Sequence, residues 1–396
     1  MASTYKTFGN GDIINTRTLL HEAIPITGSL ISGTYLPNYP SEGNIKKFSH
    51  NMFESVYDYP YLSSSANHLF DITFGYSSNS VVSSSSNVQN AKKINIYNTF
   101  AQQLVGYKPE ETFGNAQVIK EFDRDGDEAG TTDDKLQECY FLSFSRLLVK
   151  DEIKKGTFKL DLGVNGNFWK PMRGRMVRIN DAHAAGADGS FKINSPAGEY
   201  AVLKAKNLVG TPLMDSSSWT SVGGTGDEVP CGLIYYQAGI AILTASLFGT
   251  SSTGWPAGLM SASNAVASSP GIDLVGTGSQ FNAGITAHMT GCTVSGAADS
   301  LRNRIYNLEF NNTTELHSTI YFCRLHTNDF NYSTNQTYLS SSKIVTKNTS
   351  LDKPVAYITT VGLYGANNQL LAVAKLSEPL KKTPQNELTL RVRLDY

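Results

Sequence analysis

The sequence predicts a mainly β, α+β fold: an antiparallel, sandwich-like β region with an extended N-terminal arm and a small helical element. Three observations carry that expectation. From Thr157 onward apolar residues recur at every second position, as in Phe158-x-Leu160-x-Leu162, the period of a strand with one buried side. The segment Pro354–Tyr396 spells three strands and two turns. Only 17% of residues are charged, against roughly 25% in ordinary domains, while aromatics reach 10%. Ser, Thr, Asn and Gly fill the gap, a balance that suits β-rich assemblies with polar-aromatic interfaces and would also suit a secreted β protein.

Four regions are expected in order. Residues 1–61 read as an arm, with a break at Gly9-Asn10-Gly11-Asp12 and irregular Tyr/Pro-rich stretches at 35–40 and 57–61. Such a segment buries little core of its own, yet its Ile, Phe and Tyr content argues for order against a neighbour. Residues 62–156 are a mixed region with two helices. Ile96, Phe100 and Leu104 fall four apart ahead of Gly106 and Pro109, which are stop signals. Phe144, Leu147 and Leu148 repeat with helical spacing before a basic end at Lys154-Lys155. Residues 157–350 form a β-rich domain whose Gly/Ser/Thr-rich stretches, 208–229 and 249–284, are long loops. Within it, Leu233–Phe248 reads as a buried hairpin turning at Gln237-Ala238-Gly239, being too short for a membrane span. Arg304–Phe310 and Thr319–Leu325 are expected to be two paired strands.

Residues 351–396 are the hairpin and terminal strand. Tyr357–Tyr364 is β-branched and aromatic, Gly365–Asn368 is turn chemistry, and Gln369–Leu376 runs back. Glu378-Pro379 to Thr383-Pro384 reads as a connection, because proline cannot donate to a ladder. Leu388, Leu390, Val392 and Leu394 then share one face, opposite Thr389, Arg391 and Arg393, and Tyr396 ends the chain. A terminal strand can complete its own sheet or be lent to a neighbour's edge. These residues are therefore the candidate assembly interface.

The run Tyr-Ile-Thr-Thr-Val-Gly-Leu-Tyr … Gln-Leu-Leu-Ala-Val-Ala-Lys-Leu (357–364 and 369–376) resembles a hairpin of tailed-bacteriophage structural proteins, including the attachment regions of some tail fibres. The ending Leu-Arg-Val-Arg-Leu-Asp-Tyr, the run Gly-Asp-Ile-Ile-Asn-Thr-Arg (11–17) and the run 232–244 are similar to virion proteins of contractile-tailed phages. The resemblance implies a non-enzymatic virion component of the tail, baseplate or neck. Its partners would be other phage structural proteins in a symmetric ring, and it would be assembled in the host cytoplasm. The alternative is a receptor- or glycan-binding fibre or adhesin module using the loops with Trp219 and Trp255. A wall-degrading tail enzyme is the third reading.

The candidate sites are few. Asp123, Asp125, Asp127 and Asp134 have the spacing of a calcium loop, although Glu128 replaces the expected glycine; the competing reading is a solvated acidic loop. Lys170, Arg173, Arg175 and Arg178 form the densest basic stretch, open to phosphate contact or to pairing with a neighbouring subunit's carboxylates. The net charge of −1 gives no bulk attraction to nucleic acid or anionic lipid, so neither nucleic acid nor membrane is an expected partner. Cys139, Cys231, Cys292 and Cys323 are widely spaced and read as reduced thiols; Cys323-x-x-His326 is an isolated pair. No nucleophile-elbow, P-loop or dinucleotide motif occurs, so no catalytic residue is assigned and no cofactor beyond that calcium is expected. No leader of basic and then apolar residues opens the sequence, and a reducing site of synthesis is expected.

Overall fold

The computed structural model describes residues 5–32, 43–113, 116–126, 135–163, 176–186, 190–207, 228–248, 289–302, 304–331, 339–340, 343–344 and 355–396. The chain divides into two compact units, one of Met1–Leu20 with Glu315–Tyr396 and one of His21–Thr314. It is mainly β and antiparallel, with few helices, as the periodicity requires.

The principal strands, numbered in chain order, are β1 (Ile13–Thr27), β2 (Ile45–Lys47), β3 (Glu54–Tyr57), β4 (His68–Tyr76), β5 (Glu138–Phe144), β6 (Glu152–Ile153), β7 (Lys159–Gly163) and β8 (Met176–Asn180). They continue with β9 (Phe191–Ser195), β10 (Gly198–Asn207), β11 (Glu228–Tyr235), β12 (Ile240–Thr244), β13 (Ile305–Leu325), β14 (Ala356–Tyr364), β15 (Leu370–Lys382) and β16 (Leu388–Asp395). The helices are α1 (Gly28–Ser32), α2 (Asn90–Leu104), α3 (Arg146–Val149) and α4 (Val294–Arg302). One sheet follows the order β1-β13-β7-β8-β10-β11-β12-β5-β4-β3-β2, with β6 and β16 also on β13 and β9 on β10.

In the larger unit the alternation is two-sided. Along β5, Tyr140, Leu142 and Phe144 enter one core while Cys139 and Phe141 enter another. The first core is shared by strands far apart in the sheet. Phe144 of β5 lies 5.0 Å from Phe310 of β13 and 6.1 Å from Phe158, ring centroid to centroid. Five strands separate β5 from β13 along the sheet, so the sheet curls round this interior. The second core lies on the outer face and is covered by α2 through Ile96, Tyr97, Ala101 and Leu104. Gly75 permits that close approach, since a Cβ there would stand 2.6 Å from the Lys93 carbonyl. The helix stops at Gly106, whose φ is +83°, at the predicted place. The expected turn is also present between β11 and β12, with Gly239 at φ +66°.

Several elements differ from expectation. Residues 45–57, assigned to the arm, form β2 and β3 and place Ile45 and Val56 in the core. Phe144 belongs to β5, and only the four residues of α3 are helical after it, because Phe144 is needed in the curled interior. The strands expected at 304–310 and 319–325 are one strand of 21 residues, β13. Its polar middle stays extended because Asn312 and Thr313 pair with Ile153 and Glu152. β15 continues past Pro379 to Lys382, absorbing the missing donor in a register shift where Ile358 faces Leu380 and Thr360 faces Lys375.

A buried ionic cluster joins β2, β3 and α4. Glu54 is fully buried, accepts a hydrogen bond from Ser295, and lies 3.6 Å from Arg302. Arg302 is also fully buried; it pairs with Asp299 and donates to the Ile31 carbonyl at 3.1 Å. Lys47 meets Asp299 at 2.7 Å. Burial, with Asp299 adding repulsion, pushes the Glu54 carboxyl up to about 7 from an ordinary 4.5, against the pull of Arg302 and Lys47. The folded state therefore holds a proton that the unfolded chain releases, so this contribution is full below about pH 4.5 and is lost as pH rises to about 7. Chemical denaturation between pH 5 and 8 should show wild type losing stability relative to Glu54→Gln by on the order of 1–3 kcal/mol. A constant difference across that range would refute the assignment.

Candidate functional site

The sequence-predicted residues fall into three situations. Asp123 is buried at the end of a short strand (Phe122–Asp123) that pairs with Lys135–Leu136. Its carboxylate meets the Lys135 ammonium and accepts the Asp125 amide at 3.2 Å. Burial works against ionisation there, yet the hydrogen bonds from Asp125 and Lys135 hold the group below the usual carboxylate range. A lysine thus occupies the charge-neutralising place that a cation would take. Asp127 and Asp134 lie outside the described residues, among which no cluster of three metal-ligating side chains occurs.

Arg178 projects from β8 onto Asp161, its register partner on β7, in a two-pronged pair of 2.7 and 2.9 Å. That fork raises the guanidinium pKa further. Its carboxylate partner belongs to the same chain and not to a neighbouring subunit. Lys170, Arg173 and Arg175, and likewise Trp219 and Trp255, lie outside the described residues. No disulfide joins the four cysteines; three are buried and Cys323 is half-buried, while His326 lies exposed, 3.8 Å from Glu387.

The third group is the C-terminal strand. β16 pairs along its length with the end of β13, from Ser318 opposite Asp395 to Leu325 opposite Leu388. Leu388, Leu390, Val392 and Leu394 alternate as expected: Val392 is buried, the three leucines are half-buried, and Thr389, Arg391 and Arg393 are exposed. Arg393 donates to Asp395 at 2.6 Å, and Tyr396 is 75% exposed. Among the described residues β13 is the sole strand bonded to β16, and none pairs with its other edge.

Among its described residues the smaller unit buries few hydrophobic side chains. Its described buried hydrophobic side chains are Leu325, Leu363 and Val392. Tyr357, Tyr364, Leu370, Leu371 and Val373 stand exposed on β14 and β15, as do Ile13, Ile14, Leu19 and Leu20 on β1. Lys382, fully buried, anchors the hairpin base by donating to the Thr327 and Thr383 carbonyls and to Asn331. The hairpin is therefore held by polar bonds at its root, while Leu363 is buried and most of its other large apolar side chains are exposed.

No protein-family model, curated protein or solved structure matches this chain. Function must be argued from its own surfaces.

Sequence reasoning missed one further site, a cleft of about 450 Å³ in the larger unit. Its floor is β4 and β5, one wall is α2, and the other is the loop 48–53. Asp71 on the floor accepts from Ser55 and, at 2.8 Å, from His68 Nε2. Serine, histidine and aspartate are the residue types of acyl transfer, but here both partners address the carboxylate. The imidazole is not set against the serine hydroxyl, so no nucleophile is activated in this arrangement. The available signals were His68-x-x-Asp71 within a strand and Asn95, Thr99 and Phe100 along one side of α2. Short spacings of that kind carry no information without the sheet register.

Lys135→Ala should leave Asp123 unpaired and lower stability by about 1–3 kcal/mol, whereas added calcium should leave the wild-type melting temperature unchanged. Calorimetry with and without calcium checks both, and a calcium-dependent rise would revive the metal reading.

Proposed function

We propose that this chain is a non-enzymatic structural component of a tailed-phage virion, working by assembly in a ring of the tail, baseplate or neck. The observation that carries the reading is the number of large apolar side chains exposed on the smaller unit, set against the three hydrophobic ones buried among its described residues. Folding alone does not justify Ile13, Leu19, Tyr357, Leu371 and Val373 in water, and exposed apolar surface beyond scattered single residues marks an interaction site. Among the described residues no strand pairs with the outer edge of β16, and an unpaired edge is the geometry that accepts a neighbour's strand. The resemblance of the hairpin and the terminal run to phage structural proteins points the same way. Its partners on this reading are other virion proteins, or further copies, arranged with closed symmetry. No cofactor and no reaction are involved.

Leu371→Lys with Val373→Lys alters two exposed positions of β15 and should leave the fold intact. Light scattering should show the wild type associating with itself or with virion proteins, and the double variant losing at least about tenfold in affinity, or 1.4 kcal/mol. A double variant that associates as well as wild type would remove the hairpin from the interface. Antibody labelling of intact particles tests the location, and absence from the virion would overturn the proposal.

A further inference from the structure

We propose that the cleft between α2 and the loop 48–53 is a binding site for a small organic cation, an ammonium group carried on an aromatic or apolar body. The size is suitable, since ligand sites run from roughly 300 to 1,000 Å³ and this one holds about 450 Å³. Most of its lining surface is carbon, contributed by Met52, Phe53 and Phe100 over the buried Ile96 and Phe141. Phe53 and Phe100 are half-buried, leaving ring surface open to the cleft. Phe100 lies flat on Phe141, centroids 4.2 Å apart and planes within 6°, so that ring is fixed in place.

Charge decides between ligand classes. Among the described residues Asp71 is the one carboxylate in the lining, and no lysine or arginine lines the cleft. Lys92, one of two lysines on the adjoining helix, donates to the His50 carbonyl at 2.9 Å. The hydrogen bonds from Ser55 and His68 both fall on Asp71 Oδ1. Among the described residues Oδ2 has no hydrogen-bond partner. An anion here would face the Asp71 carboxylate with no lysine or arginine of the described lining to offset it. A neutral apolar guest would cover that carboxylate without pairing it, at the cost of its hydration. A cation pairs with Oδ2 and lies against aromatic faces whose quadrupole also attracts positive charge.

The walls are built before any ligand arrives. Thr73 donates to the Met52 carbonyl at 2.5 Å, and the Met52 amide reaches His50 Nδ1 at 3.1 Å. Phe48, His50 and Phe53 form a ring cluster with centroids 4.8 to 5.2 Å apart. A preformed site loses less freedom on binding.

The test is ligand-observed NMR on the full chain with three probes of one shape, benzylammonium, benzyl alcohol and benzoate. Benzylammonium should bind at least about fivefold more tightly than the alcohol, and benzoate should not compete, as an ion pair plus cation–π attraction requires. Asp71→Asn keeps an acceptor for Ser55 and His68, so it should erase the cation preference, with benzyl alcohol binding at least as tightly as to wild type. Phe100→Ala should weaken both. Equal binding of the three probes, a preference that survives in Asp71→Asn, displacement of benzylammonium by a hexose at lower concentration, or no binding at all would each overturn the proposal.

Discussion

The curling of the sheet round one interior is the constraint from which the rest of the larger unit follows. Phe144 of β5 meets Phe310 of β13, five strands away in the sheet, and Phe158 at the entry to β7. Once β5 commits Tyr140, Leu142 and Phe144 inward, Cys139 and Phe141 must face outward, because side chains alternate along a strand. An outward Phe141 needs cover. Helix α2 supplies it with Phe100, and the glycine at 75 lets the helix settle there. Beyond the line that α2 covers, the same outward face becomes the cleft floor, with Asp71 and Ser143 on neighbouring strands.

Buried charge is handled by local pairing in this unit. Arg302, Glu54, Asp299 and Lys47 neutralise one another where α4 meets β2 and β3. Asp181, fully buried, accepts from the Gly156 and Phe158 amides and from the Tyr236 hydroxyl, and so ties the entry to β7 against the end of β11. Clusters of this kind add little net stability against apolar replacements, but breaking one partner leaves an uncompensated charge. They favour one arrangement over its competitors more than they strengthen it.

The smaller unit follows the opposite rule. Its strands have the right alternation, the right turns and an anchored hairpin base, yet among the described residues much of their apolar surface stands exposed. Backbone pairing and a few polar anchors are enough to define its shape; contact with other molecules is what its exposed side chains are suited to. On the assembly reading, the apolar residues and the outer edge of β16 are two aspects of one interface. The cleft, by contrast, lies wholly within the larger unit.

Much of this was legible in the residues. The alternation of Leu388 to Leu394, the turn at Gly365–Asn368, the hairpin at Gln237–Gly239 and the end of α2 at Gly106 are local facts, fixed by side-chain period and by glycine's access to positive φ. What the sequence could not decide was every matter of partnership across distance. Spacing offered Asp123 as a cation ligand or as part of a solvated loop, and only the fold sets Lys135 against it; Arg178 read as a contact for another molecule, and the fold places Asp161 of the neighbouring strand beside it. Polar residues 311 to 318 read as a break, but pairing kept them extended. Local propensity determines which residues can lie in a strand and which way they alternate; only the assembled sheet decides what stands on the other side of each one.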